Sequence, residues 1–100
     1  MALPYFTPDT SVGTCAGAAS SAVLLPGTPS IDAIVLITNL GNNHIAVKLG
    51  ASNAVTVTMS TGVIIQAGGQ LALGIGANTW IALTTGSPGT SSTVNLTTGT

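Results

Sequence analysis

The residues able to do acid–base or nucleophilic chemistry are few: Asp9, Asp32, His44, Lys48 and Cys15, beside a large supply of Ser and Thr hydroxyls. A hydroxyl, His44 and either aspartate would supply the residue types of a hydrolytic triad, in which an imidazole takes the nucleophile's proton and a carboxylate orients the imidazole. Such a site also needs oxyanion donors and a positioned nucleophile, and the chain has no Gly-x-Ser-x-Gly elbow to provide them. His44 follows Asn42 and Asn43 and reads as an exposed residue at the end of a turn. One His, one Cys and two separated Asp residues offer no ligand spacing of a zinc or calcium site, so neither metal nor cofactor is expected. Gly68-Gly69 and Gly74-x-Gly76 have the glycine density of phosphate loops but lack the Lys and the following helix, and read as tight sheet turns. A phosphate backbone is held by Lys and Arg, and Lys48 stands alone, so nucleic-acid binding is not expected. Trp80 has the one side chain that could stack on a sugar or anchor a partner; the plainer alternative is a tryptophan of a sandwich core. The expectation is a protein that is not an enzyme.

Composition points the same way. The chain has 100 residues, a net charge of −1 and 3% charged residues, against about 25% in ordinary soluble domains. Solubility must rest on the hydroxyls and amides of Ser, Thr and Asn, and a charge near zero promotes association. At 9.7 kDa the chain makes one domain with a folded surface of roughly 5,000 Å². Its mean hydropathy is positive, yet the longest apolar run, Ala33 to Ile37, is far short of the roughly 18 residues of a spanning helix. No membrane partner is expected. The N-terminus has neither a basic region nor a continuous apolar stretch, so no secretory signal is expected. Cys15 is alone, which suits a reducing cytosol.

The elements that would carry these residues are strands. Ala33–Thr38 and His44–Leu49 flank Asn39, Leu40, Gly41, Asn42 and Asn43, a turn-forming run between β-branched segments, which predicts a hairpin. With Asn39 opposite Asn43, one face pairs Ala33 with Leu49, Val35 with Val47 and Ile37 with Ile45, and must look into a core. The other face carries Asp32, Ile34, Leu36, Thr38, His44, Ala46 and Lys48. Ahead of the hairpin, residues 1–14 hold Pro4 and Pro8 together with Tyr5 and Phe6, and read as an extended arm. Residues 15–100 then form a single domain. Cys15 to Leu25 reads as a strand, and Pro26 to Ser30 as a turn-rich link. Ala54 to Ser60 alternates valine or methionine with hydroxyls and is the cleanest half-buried strand. Strands follow at Val63–Gln66, Leu71–Ile75, Thr79–Thr85 and Ser92–Thr97. Roughly seven or eight short strands at spacings of about 8 to 12 residues, with no helical period, predict an all-β chain, an antiparallel β-sandwich or jelly roll.

A family resemblance rests on these strands and turns. The order Ile37-Thr38-Asn39-Leu40-Gly41, Val47-Lys48-Leu49-Gly50, Gln66-Ala67-Gly68-Gly69, Trp80-Ile81-Ala82-Leu83-Thr84, then a closing strand with Val94 and finally Gly99, resembles the small β-sandwich proteins of tailed-bacteriophage virions. It is most similar to capsid decoration, or cement, proteins. The resemblance spans about Ile31 to Gly99 and departs from many relatives in lacking Arg and Glu. It implies a jelly-roll-like subunit on the outer surface of a virion, assembled in the host cytoplasm. Such a subunit binds the major capsid protein and clamps neighbouring capsomers, commonly as a trimer. On this reading the arm residues Pro4, Tyr5, Phe6 and Pro8 would contact the capsid or a neighbour. The alternative is a tail-fibre or adhesin-type recognition module binding a glycan or a host surface protein.

Oligomerisation is expected from the hairpin's outer face. Ile34 and Leu36, with Ala46 across from Leu36, are too apolar to stand beside so few charges, and something must cover them. A homotrimer whose subunit interface includes Ile34, Leu36, Ala46 and Trp80 is the expectation.

Overall fold

A computed structural model describes residues 8–27 and 33–100; Met1–Thr7 and residues 28–32, and with them Pro4, Tyr5, Phe6 and Asp32, lie outside the described residues. Eight strands run in chain order: β1 Pro8–Gly17, β2 Ser21–Leu24, β3 Ile34–Asn39, β4 Ile45–Gly50, β5 Val63–Ile65, β6 Gln70–Gly74, β7 Trp80–Thr84 and β8 Ser91–Gly99. They form two four-stranded antiparallel sheets, ordered β1-β8-β3-β6 and β2-β7-β4-β5. There is no helix among the described residues. This strand order is that of an eight-stranded jelly roll, as the turn spacing predicts. The alternation along β3 and β8 shows why these residues make strands. Val35, Ile37 and Asn39, and Ser92, Val94, Leu96 and Thr98, are buried, while the residues between them face outward.

The expected hairpin is not formed. β3 pairs with β6 and β8, whereas β4 pairs with β5 and β7 in the opposite sheet. The expected apolar residues are nonetheless the core: Val35, Ile37, Ile45 and Val47 are all 0% exposed and belong to one packed cluster. They meet across the sandwich rather than side by side. A two-stranded ribbon leaves its apolar face open until another layer covers it. Sending the two strands to opposite sheets lets each apolar face cover the other, and leaves both edges of each strand free for distant partners.

A buried asparagine fixes this crossing. The Asn39 side chain is fully buried, and its Nδ2 donates to the carbonyls of Asn43 (2.7 Å), Gln66 (3.2 Å) and Ile65 (3.3 Å). Its Oδ1 accepts from the Gly41 N–H at 3.1 Å and from the Ser92 hydroxyl. Main-chain bonds from Asn39 N–H to Gly69 O and from Gly68 N–H to Asn39 O, each 2.9 Å, add the β5–β6 turn. One side chain thus ties the β3–β4 crossing, the β5–β6 crossing and the start of β8. Gly41 is required beside it, because a Cβ there would collide with the Ser92 hydroxyl and lie 2.7 Å from the Ser92 Cα.

Three further expectations are corrected. The domain boundary placed after Thr14 falls inside β1, where residues from Pro8 onward pair with β8, so Pro8–Thr14 belong to the sandwich rather than to an arm. The strand expected over Cys15–Leu25 is divided: β1 ends at Gly17, the chain bends at Ala18 and Ala19, and β2 joins the other sheet. Ala54–Ser60 is no strand at all; it is an extended and turning segment between β4 and β5, with no ladder partner. Its valine–threonine alternation is real, but the valines rest on the outside of a sheet instead of entering one.

Candidate functional site

Residues 51–62 lie across the outer face of the β2-β7-β4-β5 sheet. Their seat is built from small side chains: Ala46 of β4 and Ala82 of β7, both fully buried, pack under Val57, with Val55 alongside. Gly62 lets the returning chain sit this low, since a Cβ there would collide with Val57 and come within 3.0 Å of the Ala46 Cβ. The Val57 N–H donates to Ser20 Oγ at 3.0 Å, fastening the segment to the β1–β2 bend. A tight turn closes its far end, with the Thr58 carbonyl accepting from Thr61 N–H (3.1 Å) and Gly62 N–H (3.0 Å), and Thr58 N–H donating to Thr61 Oγ1 at 2.9 Å.

This strap shapes the concave surface. Met59 lines two adjoining open depressions. One, of about 650 Å³, is walled by Ala18, Val57 and the hydroxyl residues Ser20, Thr56, Thr58, Ser60 and Thr84. The other, of about 360 Å³, is walled by Asn42, Asn43, His44, Thr85, Ser87 and Thr90. They share Met59 and make a groove in which, among the described residues, His44 is the one ionisable wall residue. His44 Nδ1 accepts the Ala67 N–H at 3.4 Å. Hydroxyls, amides and an imidazole can hydrogen-bond a neutral, hydroxyl-rich ligand. Among the described residues, neither depression is lined by a carboxylate or an ammonium group.

The residues expected to share a subunit interface are divided between the two outer faces. Ile34 and Leu36 stand on the outside of the β1-β8-β3-β6 sheet, half-buried, with Gly74 and Gly99 flanking Ile34 and Ala72 and Thr97 flanking Leu36. Ala46 is on the other sheet and is already covered by Val57 of the same chain, so it offers nothing to a neighbour. Trp80 is half-buried on that second outer face, registered between Leu24 and Gly50. It belongs to no core, and the adjacent Leu24 is 55% exposed. Pro8 opens β1 and is exposed, and Cys15 is an exposed free thiol on the same strand. Among the described residues no group of three or more His, Cys, Asp and Glu is gathered where it could hold a metal ion.

No protein-family model, no curated protein and no solved structure matches the chain. The surfaces must be read from their own chemistry. Sequence reasoning did not reach the strap, the Met59 groove or the Asn39 network. The visible signals for the strap were the glycines at 50 and 62 bracketing the Val55–Val57 alternation. For Asn39 there was none, because a turn asparagine and a buried one look alike in sequence.

Proposed function

We propose that this protein is a structural virion subunit, a decoration protein that binds the outer surface of a capsid and stabilises contacts between capsomers. The observation that carries the reading is the eight-stranded jelly roll, an architecture recurrent in viral capsid domains and shared with lectins and cupins. Its surface of hydroxyls, amides and scattered aliphatics suits broad contact with a larger assembly. Exposed Leu24 beside Trp80, and Ile34 and Leu36 on the opposite face, supply apolar contact area on two sides. Residues 1–7, with Pro4, Tyr5 and Phe6, are the proposed capsid-contacting arm. Three copies around a cyclic axis are the proposed assembly, joined through the Ile34–Leu36 face. Two contacts of about 800 Å² each would cover close to a third of the 5244 Å² subunit surface.

The test is localisation. Electron microscopy of virions with and without the protein should show added density on the outer capsid surface, and a chain lacking Met1–Thr7 should fold but lose that occupancy. Absence from the capsid shell overturns the reading. Density confined to a tail tip, with retention of the protein on a neutral glycan array, favours a recognition module instead; the hydroxyl- and amide-lined groove around Met59 is the observation behind that second reading.

A further inference from the structure

Each sheet has two edges, and three of the four edge strands are short: β5 has 3 residues, β2 has 4 and β6 has 5. β1 has 10. Folded proteins protect edges by shortness, bulges, prolines or charges, because an open row of N–H and C=O groups is a template for another strand. On β1 such devices occupy only the beginning, with Pro8 and a register irregularity between Pro8 and Thr10. From Thr10 to Gly17 the strand keeps regular register with β8 and carries no charged residue and no proline.

The direction of its free main-chain groups follows from the ladder. Leu40 N–H donates to Thr93 O at 2.8 Å, one step beyond the Asn39–Val94 pair. By the alternation of an antiparallel ladder, Thr93, Asn95 and Thr97 then turn their N–H and C=O toward β3, and Ser92, Val94, Leu96 and Thr98 turn theirs toward β1. The β1 partners of the latter four are Ala16, Thr14, Val12 and Thr10. Ser11, Gly13 and Cys15 therefore present their main-chain groups to the open side, and all three residues are exposed. Gly13 has an ordinary strand φ, and a Cβ built on it meets nothing within 4 Å. Neither conformation nor packing inside the chain asks for glycine there. A strand glycine leaves room for another backbone to approach closely.

We propose that the free edge of β1 is the docking site for β1 of a second copy of this chain, antiparallel about a two-fold axis through Gly13. The three open residues are spaced symmetrically about Gly13, so the axis sets Ser11 opposite the partner's Cys15 and Gly13 opposite the partner's Gly13. All three are then used in roughly six main-chain hydrogen bonds. The contact is self-complementary and closed, as a two-fold interface must be. With no charge between Thr10 and Gly17, neither copy repels the other, and a charged partner finds no complement. The two four-stranded sheets join into one continuous sheet, while the outer face with Ile34 and Leu36 stays available. The inference does not rest on the capsid reading or on a three-fold contact.

The test uses the full chain with Ser11→Cys. Residues directly opposite in a hydrogen-bonded pair have Cα atoms about 5.5 Å apart, inside the disulfide range of about 4.4–6.8 Å. Positions 11 and 15 of one chain are about 13 Å apart along the strand, beyond each other's reach. Mild oxidation, or a short thiol-bridging reagent, should convert S11C to a covalent pair and stop there, while the wild type with Cys15 alone forms little. Gly13→Lys, which sets two ammonium groups opposite each other across the axis, should weaken two-fold association about tenfold or more in sedimentation velocity, with an unchanged circular dichroism spectrum. Failure of S11C to form more covalent pair than the wild type overturns the proposal, as does a ladder of products larger than pairs. So does Gly13→Lys protein that folds and pairs as tightly as before. An assembly lost on Leu36→Lys but retained on Gly13→Lys would leave a three-fold contact standing and overturn this one.

Discussion

The two outer faces of the sandwich began from the same kind of surface and were finished differently. Both carry small and aliphatic side chains among hydroxyls, yet over one the chain lays its own residues 51–62, burying Ala46 and Ala82 under Val57. Among the described residues, nothing comparable crosses the other face, where Ile34 and Leu36 remain half-buried. With so few charges to hold water, the covered face shows how this chain disposes of apolar surface when it can, and the open face shows where an outside partner has work left to do.

The largest effect should come from the anchor that both sheets share. Asn39→Asp removes the amide donor from three carbonyls and sets a carboxylate among them, fully buried. A loss of at least about 3 kcal/mol is expected, from unsatisfied acceptors and an unpaired buried charge. Chemical denaturation should show it, or the chain should fail to fold at neutral pH; a midpoint unchanged from wild type would refute the role of Asn39.

Next in size is a substitution that would make the covered face resemble the open one. Gly62→Val forces a side chain against Val57 and Ala46 and should cost about 2–3 kcal/mol through overpacking. The strap should lift, so thermolysin should cut within residues 51–62 while the sheets stay folded. Resistance equal to wild type would mean that the strap does not depend on this close approach.

Val57→Ser tests the covering by subtraction. Losing buried apolar surface over Ala46 and Ala82 should cost about 1.5–2 kcal/mol, a drop of roughly 10 °C in the thermal midpoint for a domain of this size. A shift below a degree or two would show that the packing under the strap contributes little.

The smallest effect on stability, and the sharpest contrast, belongs to Leu36→Lys on the open face. Stability should change by no more than about 0.5 kcal/mol, as for other surface sites. In sedimentation equilibrium Leu36→Lys should remove the three-fold step of assembly, so that species in multiples of three times 9.7 kDa give way to a pair or a single chain. Wild-type protein that stays monomeric at high micromolar concentration removes the reason to expect a partner on this face.

What the amino-acid order determined by itself was local. Period-2 alternation and turn residues marked six of the eight strands, β3 to β8, to within a residue or two at their ends, and assigned Val35, Ile37, Ile45 and Val47 to the core. Those signals are carried by neighbouring residues, because the side chains of a strand must alternate whatever the strand pairs with. Pairing was beyond them. β3 and β4 present the same apolar faces whether side by side or across a sandwich, and only the competing ladders from β6, β8, β5 and β7 decide between the two. The same holds for Ala54–Ser60, whose alternation suits a strand in a sheet or a strap on one; the bare surface of Ala46 and Ala82 chose the strap. Ile34, Leu36, Ala46 and Trp80 looked like one patch along the chain and were parted because consecutive strands change sheets. Nor could the sequence show that, among the described residues, β1 would end as the long edge strand of its sheet, since an edge is defined by the strand that fails to arrive.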